Sequence, residues 1–279
     1  MLYCFNVSRS IVFYNSLMSA IEDIVFLLGG CDLEMSEIRQ MLKNYRQSDN
    51  PEYHIGYLDK DLQWGARLSS YRELIPGIKA KKIIGVEITE DIPLPPNYSG
   101  IDHHGDKSAL SSSIEQVANL LHLTLTRYQT LIAINDRAYI PGMVAYGATA
   151  DEISNIRKAD RREQGVTVTD EQLAEQSIHH HSYIKSGVTV VNSLTEKFSA
   201  VTDLLFPYSS LLVYNDNALV YYGLNAGKLT NLFTGLTSEC LAYSGGGMNG
   251  FMGITAQGLL SYPDKEPLIT MIINAVHHE

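Results

Sequence analysis

The sequence predicts an α/β fold: a mostly parallel sheet flanked by helices, followed by a second, smaller α/β domain. Three observations predict it. Apolar runs of strand length alternate with stretches of helical period over residues 21–165. The first of those runs is almost continuously apolar, as strands buried on both faces of a parallel sheet are. Beyond residue 186 the texture becomes β-rich.

In chain order, Ile11 to Tyr14 could form a short strand within an N-terminal extension. Residues 23–30 form the first buried strand and end in two glycines. Residues 36–45 follow as a helix, with Ile38, Met41 and Leu42 at helical spacing. Residues 54–58 make a second strand, and 62–74 read as a helix closing at Pro76-Gly77. Residues 82–88 are a third strand. Pro93, Pro95 and Pro96 then impose a loop before a short strand at 98–101. The stretch 111–121 is a helix with a serine cap and a stripe of Ile114, Val117, Ala118 and Leu121. An apolar segment, 128–134, precedes Asn135-Asp136 and reads as one more strand-like run. Charged helices follow at 151–164 and 169–178. Strands are then expected at 187–191, 209–214 and 217–222, with Asn215-Asp216-Asn217 as a hairpin turn. The domains are read as 1–165, a helical connector at 166–185, and 186–279.

Composition narrows the function classes. The 279 residues are 45% hydrophobic and 19% charged, which supplies core material and excludes a disordered chain. The net charge of −10 disfavours duplex nucleic acid, because an acidic surface repels a phosphate backbone. It leaves room for a small anionic ligand if bound cations reverse the local sign. Cys4, Cys31 and Cys240 are odd in number and widely spaced, so a reducing cytoplasm is expected. No apolar run reaches the roughly 18 residues of a membrane helix. Arg9 interrupts anything resembling a signal peptide.

The chemistry-bearing residues stand after the apolar runs. Asp32 and Glu34 follow the first strand, Glu87 ends the third, Asp102-His103-His104 follow the next, and Asp136 follows the 128–134 segment. Parallel strands would gather all of them at one edge, where such sheets place their ligand sites. Carboxylates with one or two imidazoles suit Mn²⁺ or Mg²⁺, and a pair of such ions would polarise a phosphoryl group and acidify water. Asp32 could equally cap the helix after it. Glu87 is the more telling residue, because a carboxylate in an apolar strand is costly to bury without a partner. The glycines Gly245, Gly246 and Gly247 would let backbone amides approach a phosphate, or form a plain turn. Arg137 could meet a phosphate or pair with Asp136. Arg157, Arg161 and Arg162 read as a solvated helix face, His179-His180-His181 as surface, and Tyr139 as packing or a base-stacking ring.

This order of motifs resembles the DHH phosphoesterase superfamily, named for the Asp-His-His that follows a strand, here Ile101-Asp102-His103-His104. Ser111-Ser112-Ser113 opening a helix is similar to the family pattern. So is Asp32-Leu33-Glu34 in place of its paired aspartates, and Gly245-Gly246-Gly247-Met248-Asn249 in place of a Gly-Gly-Gly-His segment in a DHHA1-like second domain. The resemblance spans about 28–253. It implies metal ligation by Asp32, Glu34, Glu87, His103 and Asp136, with Glu87 bridging two ions, Mn²⁺ or else Mg²⁺ or Co²⁺. Asp102 would orient His103. His104 would contact phosphoryl oxygens or assist the leaving group. Arg137, Gly245, Gly246, Gly247, Met248 and Asn249 would hold substrate in an interdomain cleft. The implied activity is hydrolysis of a phosphodiester or phosphoanhydride in a nucleotide or short single-stranded oligonucleotide, and a homodimer is compatible with it. Leu28 stands where the family has a histidine, and Met248 replaces another. These departures motivate the alternative of a nucleotide-binding, regulatory protein with catalysis lost.

Overall fold

A computed structural model describes residues 22–49, 51–63, 65–233, 235–236, 241–245 and 250–277. The expected strand at 11–14 lies outside them, as do Gly246, Gly247, Met248 and Asn249. The chain divides into two compact units, 1–164 and 165–279.

The first unit is built on a four-stranded, wholly parallel sheet. Its strands are β1 (Glu22–Leu28), β2 (Ile55–Asp59), β3 (Ala80–Val86) and β4 (Tyr98–Ile101), in the order β2-β1-β3-β4. Ile24, Phe26 and Leu28 pack on one face with α1 (Leu33–Arg46) and α2 (Ser113–Leu120). Val25 and Leu27 pack on the other, against Leu68 and Tyr71. Burial on both faces explains why β1 lacks alternation, and each such side chain contributes about 1.5–3 kcal/mol. Helix α1 begins ahead of its apolar stripe because the Asp32 carboxylate accepts from the Met35 N–H at 2.8 Å. At the start of α2, Ser112 and Glu115 form a reciprocal capping box.

Two expectations are corrected here. The described residues of 62–74 form no α-helix; a 3₁₀ turn, Leu68–Tyr71, stands there instead. The Leu68 N–H donates to the Thr89 carbonyl, which ties the segment to the chain beyond β3, and the Tyr71 hydroxyl donates to the Leu28 carbonyl at 2.6 Å. The 128–134 segment is helical, not a strand: it lies in α3 (Arg127–Ala145), capped by a Thr126–Gln129 box. Leu131, Ile132 and Ala133 are buried together, which makes a short apolar run of either type look alike in sequence. Helix α4 (Ala150–Glu163) completes the unit.

The second unit opens with α5 (Val168–His180). Its sheet comprises β5 (Ser182–Lys185), β6 (Val188–Asn192), β7 (Ser210–Tyr214), β8 (Ala218–Gly223), β9 (Ala242–Gly245) and β10 (Phe251–Thr255), in the order β5-β6-β7-β8-β10-β9. Only β6–β7 is parallel. The expected hairpin turn forms, with the Asn215 side chain accepting from the Asn217 and Ala218 N–H groups. Two cores cover the two sheet faces, and neither includes a residue from the first unit. Among the described residues no helix is long and apolar enough to cross a membrane.

Candidate metal centre

Register delivers the site. Leu28 pairs with Val86, and Val86 with Ile101, so β1, β3 and β4 end level. The next residues therefore emerge at one carboxyl edge: Gly29 and Gly30, Glu87, then Asp102 to His104. Gly29 is required there, because a Cβ on it would lie 2.3 Å from the Glu87 carbonyl oxygen. Glu87 itself sits in the left-handed backbone region at φ 54°, an uncommon placement for a residue with a side chain, at a cost on the order of 1 kcal/mol. The Glu87 N–H donates to the Ile101 carbonyl at 2.8 Å, which holds that turn.

Around His103, buried at 5% exposure, three carboxylates gather. Its Nε2 lies 2.6 Å from Asp136 Oδ2, 3.5 Å from Glu34 Oε2 and 3.6 Å from Glu87 Oε1. None of these four atoms makes a hydrogen bond of good geometry, the short approach to Asp136 included, although all are buried. Burying polar atoms this way is costly unless something else satisfies them. Three oxygens and one nitrogen converging on a small volume suit a hard or borderline divalent cation such as Mn²⁺. Glu87, His103, His104 and Asp136 place their ligating atoms within 4.8 Å of one another.

The charges respond accordingly. Burial opposes a proton on His103, but Asp136, Glu34 and Glu87 outweigh it and push the imidazole up to about 12. Burial raises Glu34 well above the carboxylate range, and the charges of Asp136 and Glu87 add to this. Asp32 is pushed up to about 8 by burial, then by Glu87 and Asp136. Glu87 lies below its ordinary value: burial opposes this, but the adjacent His103 imidazole and Glu34 carboxyl prevail.

Glu34, Glu87, His103 and Asp136 come together, with His104 beside them. Glu34 is fixed by its other oxygen, which accepts from the Ile114 N–H of α2 at 3.0 Å. Asp136 arrives from α3, not from a strand end. Asp32 spends one oxygen on capping α1, and the charges of Glu87 and Asp136 act on it. Asp102 corrects the sequence reading: its Oδ1 meets His104, at 3.0 Å from the backbone N–H and 3.1 Å from Nδ1. The side chain turns with the tight bend after β4, so it orients the exposed histidine of the pair instead of the buried one. Arg137 pairs with Glu115 at 3.1 Å rather than with Asp136. Gly245 ends β9.

Sequence reasoning missed the support behind the cluster. Arg157 is buried, not solvated. It lies 2.6 Å from Asp160 Oδ2 and 3.0 Å from Asn135 Oδ1, and its guanidinium stacks over the Tyr139 ring at 4.5 Å. Asp160 also accepts from the Leu33 N–H at 3.4 Å. This group links α4 to Asn135, beside Asp136, and to Leu33, beside Asp32 and Glu34. The only sequence signal was Arg157 and Asp160 at i,i+3 on a helix, which surface pairs share.

No family model matches the chain, and no curated protein matches it. Among solved structures, a DHH-domain protein described as a member of a family of ribosomal proteins aligns over 91% of this chain and 87% of its own, at 11% identity and a TM-score of 0.53. A pGpG-specific phosphodiesterase from Vibrio cholerae is similar over 90% of this chain and 99% of its own, at 12% identity and a TM-score of 0.42. RecJ from Thermus thermophilus, in complex with Mn²⁺, is similar over 92% of this chain and 52% of its own, at 10% identity and a TM-score of 0.41. The latter two likenesses are too loose to carry weight. The fold is that of a DHH-domain protein: a parallel α/β unit followed by a second unit with a mixed sheet.

Proposed function

We propose that the protein is a divergent member of the DHH phosphoesterase superfamily and hydrolyses a phosphodiester or phosphoanhydride in a nucleotide or short oligonucleotide. The carrying observation is the convergence of four buried, unsatisfied atoms from Glu34, Glu87, His103 and Asp136. Those residues would hold Mn²⁺, Mg²⁺ or Co²⁺, with Asp32 at the edge of a second position. Bound there, a divalent ion supplies Lewis-acid polarisation of a phosphoryl oxygen and acidifies water.

The chain's own groups would do the rest. Asp102 holds the His104 ring through Nδ1, which leaves Nε2 to meet a phosphoryl oxygen or hand a proton to the leaving oxygen. The hydrogen bonds from His104, and Lys107 at 3.5 Å, keep Asp102 below its ordinary value, against the effect of burial. Arg137 is assigned to the remainder of the substrate.

A panel of phosphate esters, cyclic dinucleotides and short RNAs with Mn²⁺, Mg²⁺ and Co²⁺ tests this. Metal-dependent turnover, reduced at least ~100-fold in His103→Ala, is expected; turnover indifferent to that substitution refutes the assignment. The second reading, a nucleotide sensor without turnover, is favoured by Leu28. At 1% exposure it fills with hydrocarbon the position where the family places a histidine, which thins the second ion's ligand set.

A further inference from the structure

Arg157 grips the chain on both sides of a proposed metal ligand. From α4, its Nη1 donates to Asn135 Oδ1 at 3.0 Å, and its guanidinium lies 4.5 Å from the centre of the Tyr139 ring. Asp136 stands between those two residues on α3. The helix needs holding at this point. Tyr139 leaves helical geometry, at φ 54° and ψ −153°, and Pro141 has no N–H to donate to the preceding turn. A tyrosine at positive φ is strained and persists where its surroundings hold it; a cation over the ring face is such a hold.

The same side of α4 reaches the other segment that carries ligands. Asp160, three residues on, accepts from Arg157 Nη1 at 2.6 Å and from the Gln164 side chain at 3.1 Å. It also accepts from the Leu33 N–H at 3.4 Å, and Leu33 separates Asp32 from Glu34. Asn135, Arg157 and Asp160 are each exposed by 7% or less. Polar bonds shielded from water in this way are stronger than surface ones and hold their geometry more firmly. One charged pair therefore ties the 32–34 segment to the 135–139 segment. Glu34 and Asp136 approach His103 from those two segments.

We propose that Arg157 and Asp160 are positioning residues of the metal centre: they set the separation of Asp136 from Asp32 and Glu34 and thereby govern how tightly the cluster holds a divalent ion. This assignment rests on the reading of Glu34, Glu87, His103 and Asp136 as metal ligands. Arg127 and Glu152 supply a contrast. They too join α3 to α4, at 2.6 Å, but near the starts of both helices, where Arg127 precedes Asp136 by nine residues.

Calorimetric titration of the full chain with Mn²⁺, at a temperature where circular dichroism shows each protein folded, tests the role. Arg157→Gln should weaken Mn²⁺ binding about tenfold or more, the usual consequence of removing a group that orients ligands. Asn135→Ala leaves the bond between Arg157 and Asp160 in place and should weaken binding in the same direction. Glu152→Gln should keep the wild-type Kd even where it lowers Tm. An Arg157→Gln protein with the wild-type Kd overturns the positioning role and leaves the pair as support for the fold alone. Where Arg157→Gln does not fold, the same comparison is made on Asn135→Ala, and a wild-type Kd there overturns the role. A Kd weakened as much in Glu152→Gln also overturns it, because any loosening of α4 would then suffice. A wild type that binds none of Mn²⁺, Mg²⁺ and Co²⁺ refutes the metal centre itself, and the positioning role falls with it.

Discussion

His103 shows how three carboxylates can outweigh burial. Its imidazole, and the carboxyls of Asp32 and Glu34, all bind a proton more tightly in the folded protein than in an unfolded chain. For a group raised on folding, the stabilising contribution is complete below the unfolded value and disappears as pH rises toward the folded one. For Asp32 that window runs from its ordinary 3.8 to about 8; for His103 it runs from 6.5 to about 12. Glu87, lowered on folding, has the opposite sign and is outnumbered. The metal-free protein should therefore lose stability between about pH 5 and 8. A divalent ion, which needs these groups deprotonated, should bind more tightly over the same interval and release protons. Melting curves with and without Mn²⁺ across that range check both statements. A metal-free protein that gains stability as pH rises would contradict them.

At the scale of elements, the site depends on how α4 is locked to α1 and α3. Asp160 lies against Arg157 in the interior and also accepts from Leu33. Replacing Asp160 with Ala removes the carboxylate nearest a buried guanidinium, so a loss of about 3 kcal/mol is expected. Glu152, on the same helix, serves as a contrast. It lies at the surface, partly exposed, pairs with Arg127 at 2.6 Å and completes the Thr149 cap. Its loss should cost less than that of Asp160, because an ion pair and a cap interaction at the surface are screened by water. Urea unfolding of the two variants ranks them; Glu152→Ala proving the costlier would remove the buried network from its structural role. That network was invisible in sequence because an Arg and an Asp one turn apart look the same on a wet face and a dry one.

For the whole molecule, the two units keep separate cores. The two clusters of the first stop at Ala133, and those of the second begin at Ala174. Every proposed metal ligand belongs to the first. Calorimetry should therefore show Mn²⁺ raising one transition only, by about 2.7 kcal/mol at a hundredfold excess over Kd, while the transition of residues 165–279 stays in place. Equal stabilisation of both transitions would mean that the ion couples the units.

The sequence by itself determined the parallel sheet, the helix caps and the Asn215 turn, because each rests on local patterning and short-range hydrogen bonds. Motif order led to the expectation that Glu34, Glu87, His103 and Asp136 meet, and the level ends of β1, β3 and β4 bring the first three to one edge. Only the tertiary structure decided that Asp136 comes from a helix, that Asp102 serves His104, that Leu68–Tyr71 is a 3₁₀ turn, and that Arg157 is buried. Each of those outcomes depends on which distant segment packs opposite, and a periodicity of 2 or 3.6 residues carries no record of the partner.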